Sequence, residues 1–309
     1  MSQASIPAVA DEEYRRDPVW GPMSHPARDT IEHGRPPWKD HIYLAFWDAA
    51  ADTYGFFHWN SSPNHDTTKA QLSVWVGGVA FDVRDALGPS TTRFDTERFR
   101  FDMAGDIEVA TERITGRLAV LPRFTAVDYT PGGLVPPLVP EEPLQHWQQG
   151  LALTGELVVD GRTVTLDALG YRTRTWGYRD DSKQFNEYVS LQTCLASMDI
   201  TVMKFLWPDG SQRVDGFVAR DGGQEPITGF RITRGPAGET VRLRLTLAGG
   251  TELTLERRGC AAGMWCPIGL PERDAPTFCA YDEIIDWEVL ETGERGHSLV
   301  EQAIVRYVV

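Results

Sequence analysis

The sequence predicts an all-β protein made of two antiparallel β-domains in tandem, each a barrel or a sandwich. Three observations point there. Alternating apolar and polar runs are joined by tight-turn dipeptides, Asp160-Gly161, Asp209-Gly210 and Gly249-Gly250. Nowhere does the strand–helix–strand rhythm of a parallel sheet occur. Residues 130–148 hold five prolines and two glycines, and this irregular stretch separates one strand-turn-strand series from a second. The expected division is an irregular arm over 1–38, a first domain over 39–140 and a second over 141–309.

Taken in order, the arm is rich in Pro, Arg, Asp and Glu without a sustained period. "HIYLAFWD" opens the β pattern and "YGFFHWN" follows after a polar connection. "QLSVWVGGVAFDV" is a strand or pair with Gly77-Gly78 as turn or bulge. In "RFRFDM", Phe99 and Phe101 face one way and Arg98 and Arg100 the other. "GRLAVLPRFTAVDY" gives two more strands split at Pro122, and "LQHWQQG" reads as a short helical turn. After it come the hairpins at 155–171, 203–223 and 240–259, and two closing strands from Phe278.

The chain has 309 residues, a formal net charge of −14 and ten tryptophans. That charge argues against nucleic acid or an anionic membrane as the partner. The aromatic content suits a pocket for a small apolar molecule. No run approaches a membrane span, and the N-terminus lacks the apolar core of a secretory signal, so a soluble cytoplasmic protein is expected. Phosphate-loop, dinucleotide, nucleophile-elbow and His-Glu-x-x-His motifs are missing, so no cofactor is expected. The nearest metal-like group is His58, His65 and Asp66, across a Ser-Ser-Pro-Asn turn, and no metal is expected there. Cys194, Cys260, Cys266 and Cys279 match no metal spacing and read as incidental thiols. The sequence says nothing about oligomeric state.

The run from Ala168 to Asp181, "ALGYRTRTWGYRDD", is the most unusual. In an extended strand Arg172, Arg174 and Trp176 form one stripe and Arg179 faces the other way. Three roles are open for the arginines: ion pairs with Glu187, Asp180, Asp181 or Asp199, polarisation of a substrate carbonyl, or a solvated edge. Trp176 is either a core plug or a pocket wall whose face steadies a cation. His58 is a general acid–base candidate amid aromatic residues, or a satisfied core histidine. Phe57 and Trp59 point to the face opposite His58, so only one of the two sets lines a pocket. Trp207 packs a turn or touches ligand, and Tyr281, Asp282 and Glu283 read as a polar strand end.

The run Arg172-Thr173-Arg174-Thr175-Trp176-Gly177-Tyr178-Arg179 resembles the Arg-Asp-His-Ser-Trp-Gly-x-Arg signature of a two-domain lipocalin-like family. That family includes AttH-like proteins, carotenoid 1,2-hydratases, tocopherol cyclase and fungal decalin-forming Diels–Alderases. "FWDAAADTYGFFHWNSSPN", "DGFVARDG" and "GERGHSLVEQAIVR" are similar to it as well, and the likeness spans most of residues 40–309. It implies two lipocalin-like β-barrel or β-sandwich domains. It also places catalytic acids and a tyrosine on the strands after the signature, where Tyr188 and Asp199 stand. Where relatives carry Asp and His, this chain has Thr173 and Arg174. Arginine, with a pKa above about 12, is no general acid.

The function expected is therefore a cofactor-free isomerase, cyclase or hydratase acting on an apolar terpenoid or polyketide-like substrate. His58, Trp176, Tyr188 and Asp199 are its catalytic candidates. Phe57, Trp59, Arg174, Arg179 and Trp207 are candidates for substrate contact. The alternative is a non-catalytic carrier of a lipophilic metabolite, since folds of this kind host both roles.

Overall fold

The computed structural model describes residues 19–20, 35–62, 64, 67–87, 94–95, 98–101, 106–266 and 276–307. His65, Asp66 and most of the N-terminal arm lie outside them. The first strands are β1 (Trp38–Asp48), β2 (Thr53–Ser62), β3 (Thr67–Val76), β4 (Val79–Leu87), β5 (Phe94–Asp95) and β6 (Phe99–Phe101). Next come β7 (Asp106–Ala110), β8 (Ile114–Pro122), β9 (Val127–Asp128), β10 (Gln145–Val159) and β11 (Arg162–Tyr178). One helical turn, α1 (Asp181–Gln184), leads to β12 (Glu187–Cys194), β13 (Asp199–Leu206), β14 (Gln212–Arg220) and β15 (Gly223–Arg234). The last four are β16 (Thr240–Leu247), β17 (Glu252–Cys266), β18 (Pro276–Val289) and β19 (Arg295–Tyr307).

These strands form two antiparallel bodies. The first is an open eleven-stranded sheet in the order β4-β3-β2-β1-β11-β10-β8-β7-β6-β5, with β9 beside β10. The second is a closed barrel, β12 through β19 in sequence order. Two expectations are corrected. The first sheet does not end near 140: β10 and β11 belong to it, and the barrel starts at Glu187. The proline-rich stretch is an excursion within the first body, because β11 has to return and pair with β1 from Trp38↔Tyr178 to Trp47↔Leu169. "LQHWQQG" is not helical either, since Gln145–Gly150 extend β10, with Trp147 opposite Arg174.

Turn chemistry sets the hairpins. Asp160 and Gly161 both have positive φ, 46° and 80°, as do Gly77 and Gly78 at 57° and 77°. This is the backbone of the two-residue turn whose twist matches the flanking strands. The Gly77-Gly78 pair is thus a turn, closing Val76↔Val79.

Period-2 alternation then divides the core into three layers. On β1, Ile42, Leu44 and Phe46 pack with Phe57 and Trp59 on the inner face of the first sheet. Tyr43, Ala45 and Trp47 point the other way and meet Tyr188, Phe205 and Ile284 on the outside of the barrel. Residues of opposite parity on the barrel strands, such as Val189, Leu191, Val202 and Ile285, fill its lumen around Trp287.

The arginine stripe lies on the inner face of the first sheet. Arg174 grips Asp40 with two hydrogen bonds, Nε–Oδ1 3.2 Å and Nη2–Oδ2 2.8 Å, and both residues are at most 1% exposed. It also donates to the carbonyl of Val19 and lies 4.9 Å from the Trp176 ring centre. Arg172 donates to Gln149 and stacks on Trp20 at 3.9 Å. The arginines at 172 and 174 thus form a wall, and Asp40, none of the acids expected from the sequence, neutralises Arg174. Replacing Arg174 by Met takes the guanidinium away from the buried Asp40 carboxylate, and should lower unfolding stability by about 3–5 kcal/mol. The Asp40→Leu/Arg174→Met double variant should recover most of that loss in denaturant titrations. A single-variant loss below about 1 kcal/mol would mean the pair carries no such role.

Candidate functional site

Polar residues collect where the barrel's outer face meets the first sheet. The sheet contributes His41 and Tyr43 from β1, His146 and Gln148 from β10, and Thr173, Thr175 and Arg179 from β11 and its end. The barrel contributes Tyr188 and Gln192 from β12 and Glu301 from β19, and α1 is followed by Phe185. Val135, Leu144, Met203 and Phe205 supply the apolar part of the wall. The free space is about 40 Å³, room for a few waters at about 10–15 Å³ each. An organic ligand therefore requires wall side chains to turn or the junction to widen.

One side of the pocket is a chain of hydrogen bonds. His41 and His58 face each other across the β1–β2 ladder with Nε2 atoms 2.7 Å apart and rings edge to face. One ring must donate and the other accept, so a proton on every nitrogen of the pair would set two N–H groups against each other. Thr175 Oγ1 lies 3.3 Å from His41 Nδ1 and accepts from Arg179 Nη1 at 3.0 Å. Arg179 is held by Asp181, which Lys39 also reaches at 3.1 Å. Burial, followed by the charges of His58, Arg179 and Lys39, holds His41 well below the usual imidazole range. Burial with Arg179 nearby takes His146 down to about 3. Burial works to raise Asp181, but Arg179 and Lys39 outweigh it and bring that carboxyl to about 2.

The opposite side is an acid. Glu301 accepts a hydrogen bond from the Tyr188 phenol. Burial pushes its carboxyl up to about 7, against the pull of Arg179 and with some help from Asp181. Thus neutral imidazoles, a fixed cation and a carboxyl poised between its two protonation states share one small space. Such an arrangement can give and take a proton near neutral pH.

The residues expected from the sequence divide between the two faces of the sheet. His58, Arg179 and Tyr188 belong to the pocket or the chain of bonds beside it. Phe57 and Trp59 sit on the opposite face, packed with Phe46 and Phe101. Arg174 and the half-buried Trp176 are on that opposite face too, so Trp176 and His58 share no cavity. Trp207 packs at the rim of the junction, its indole donating to the Leu134 carbonyl at 3.1 Å. Asp199 is buried in the junction away from the pocket wall, 3.5 Å from Arg123 and pressed against Gly150, where a Cβ would come within 1.8 Å of its carboxylate. Burial raises Asp199 to about 6, with Arg123 opposing.

His41, His146 and Glu301 were missed by the sequence reasoning. Glu301 had a signal: it interrupts the apolar face Leu299–Glu301–Ala303. Asp282 does the same between Ala280 and Ile284, and it is fully buried rather than a polar strand end.

A family model described as a domain of unknown function (DUF7064) matches residues 23–304. No curated protein matches the sequence. Among solved structures, a putative AttH from Nitrosomonas europaea is 12% identical, with 93% of this chain and 98% of that one covered and a TM-score of 0.59. Kievitone hydratase from Nectria haematococca is 13% identical over 94% of each chain, with a TM-score of 0.55. CghA, solved alone and with Sch210972, is 11% identical in the former structure over 88% of this chain and 89% of its own, with a TM-score of 0.59. These neighbours share the fold across both bodies, and they are the kind of relatives to which the Arg172–Arg179 run pointed.

Asp199 gives a pH test. Its folded pKa of about 6 lies above the ordinary carboxyl value, so between about pH 4 and 6 the folded state keeps a proton that the unfolded state has lost. Its contribution to stability is therefore greatest at low pH and falls as pH rises through 6. Asp199→Asn cannot ionise and should gain on wild type by on the order of 2–3 kcal/mol between pH 4 and pH 8. Equal changes with pH in the two proteins, measured by urea titration, would contradict the assignment.

Proposed function

The chain belongs to the DUF7064 family, and on that footing we propose that it is a cofactor-independent acid–base enzyme of the isomerase, cyclase or hydratase class. Its substrate is a small, largely apolar, unsaturated molecule of terpenoid or polyketide-like character. The observation that carries this reading is the Glu301 carboxyl, hydrogen-bonded by Tyr188 and pushed up to about 7 in a wall that, Arg179 apart, is made of apolar and neutral polar groups.

The protonated Glu301 donates to one carbon of a double bond and becomes a carboxylate, leaving an electron-deficient centre on the substrate. Loss of a neighbouring proton back to Glu301 gives an isomer; attack by a second double bond, followed by the same proton loss from the new cation, gives a ring; attack by water, whose surplus proton passes to Glu301, gives a hydrate. Tyr188 holds the carboxyl in place throughout. Arg179, fixed by Asp181 and Thr175, favours the ionised form of Glu301 and so eases the proton's departure. Phe185, Met203 and Phe205 hold the apolar part of the substrate in a reactive conformation. Glu301 thereby supplies the proton that Arg174, on the far face of the sheet, cannot. Perturbed titratable groups in the pocket favour catalysis over simple carriage of a lipophilic ligand.

The test is deuterium incorporation from D2O into a panel of terpenoids and unsaturated polyketide-like ketones, read by mass spectrometry. A deuterated isomer, ring or hydrate is expected. Glu301→Gln should slow its formation at least about 100-fold, and Tyr188→Phe about tenfold through loss of one charge-assisted hydrogen bond. Tight binding with every compound returned unchanged would support the carrier instead.

A further inference from the structure

Glu301 has a companion in register. Asp282 on β18 stands directly opposite Glu301 on β19, so both carboxyls leave the barrel on the face that meets the sheet, with Cβ atoms about 5 Å apart as in any such pair. Asp282 is 0% exposed. Its Oδ2 accepts a hydrogen bond from the Tyr43 phenol at 2.9 Å, and its Oδ1 has no hydrogen-bond partner among the described residues. Tyr43 arrives from the other body, on β1, where it lines the pocket and stacks on Phe56 at 5.4 Å.

Packing does not account for this couple. A buried carboxyl with one bare oxygen destabilises a core, and among the described residues no cation pairs with Asp282. What the couple does provide is a tyrosine on the pocket wall whose phenol is backed by a second proton-bearing group. Burial favours the neutral form of Asp282, pushing it up to about 7 against the Tyr43 hydrogen bond. A neutral carboxyl can donate its own proton to the phenol oxygen, and the phenol O–H then turns toward a ligand.

We propose that Tyr43, backed by Asp282, is an oxygen-binding group of this pocket, and that the substrate carries a carbonyl oxygen conjugated with, or next to, the carbons between which Glu301 moves a proton. The proposal rests on the assignment of Glu301 above. The Glu301 carboxylate removes a proton from a carbon adjacent or vinylogous to the carbonyl. The C–H electron pair becomes the new double bond, and the carbonyl π pair moves onto oxygen, where the Tyr43 O–H holds it. Return of the proton from Glu301 to a different carbon restores the carbonyl and yields an isomer. Atoms and electrons balance without a co-reactant. Tyr43 touches the substrate, while Asp282 acts through Tyr43 as a positioning residue.

The probe is 4-nitrophenol, whose oxygen mimics that of an enolate and whose absorbance reports its own ionisation. It is titrated against wild type, Tyr43→Phe, Asp282→Asn and Glu301→Gln, each checked for an intact thermal transition. Wild type should bind it, Tyr43→Phe should bind about tenfold more weakly, and Glu301→Gln should bind no worse. Asp282→Asn should shift the absorbance of the bound probe, an effect that a merely structural role would not produce, and it carries the test if Tyr43→Phe does not fold. No binding by wild type, undiminished binding by Tyr43→Phe, or an unshifted spectrum in Asp282→Asn overturns the proposal. Deuterium transfer separates the two assignments: full transfer by Glu301→Gln removes Glu301 and leaves the oxygen site standing. Undiminished turnover by Tyr43→Phe does the opposite.

Discussion

Strand β1 from Asp40 onward and β11 from Gly170 onward have no solvent side. They lie next to each other at the middle of the sheet, and between Ile42 and Asp48 every residue of β1 is buried. A strand of this kind cannot send its polar residues outward, so each must find a partner on the face where the two-residue period puts it. The inner face answers with the Arg174–Asp40 pair and the Arg172–Gln149 hydrogen bonds. The outer face answers with the histidines, Thr175 and Arg179, and these become useful only because the barrel arrives to cover them. The arginine wall and the pocket are two solutions to one requirement, on either side of the same backbone.

The two solutions differ in electrostatic character. On the inner face a full charge pair is closed off and geometrically satisfied, so it fixes register and contributes nothing that moves. Around the pocket the full charges of Arg179, Asp181 and Lys39 lie at one end. Three carboxyls along the junction, Asp199, Asp282 and Glu301, are meanwhile pushed up by burial. Carboxyls whose protonation changes between about pH 6 and 7 lower the buried charge of the junction, and they are also the groups able to exchange protons near neutral pH. The neutral histidines follow the same logic with the opposite sign.

The fold was legible because its signals are local. The Asp160-Gly161 and Gly77-Gly78 turns, and the alternation that separates His58 from Phe57 and Trp59, are each decided within a few residues. The boundary was not, because β11 is assigned to the first sheet by its pairing with β1, a contact that no window of sequence contains. "LQHWQQG" misled for a related reason: a glutamine-rich stretch favours a helix by propensity, but the ladder with β11 overrides it. In the site, Arg179 and Tyr188 stood beside a recognisable run, whereas His41 and Glu301 are brought together by the packing of two bodies. Their trace in the sequence is a polar residue interrupting an apolar face, which becomes informative once the buried faces are known.

The pairing of β1 with β11 also constrains the order in which the chain can acquire structure. A ribosome releases β1 through β4 long before Arg162–Tyr178 exists, and until then one side of β1 is an unpaired, strongly apolar edge. Such an edge is where a nascent chain recruits the wrong partner. The central strand of the finished sheet is therefore the exposed margin of the unfinished one, and its risk of misassociation ends only when residue 178 has cleared the exit tunnel.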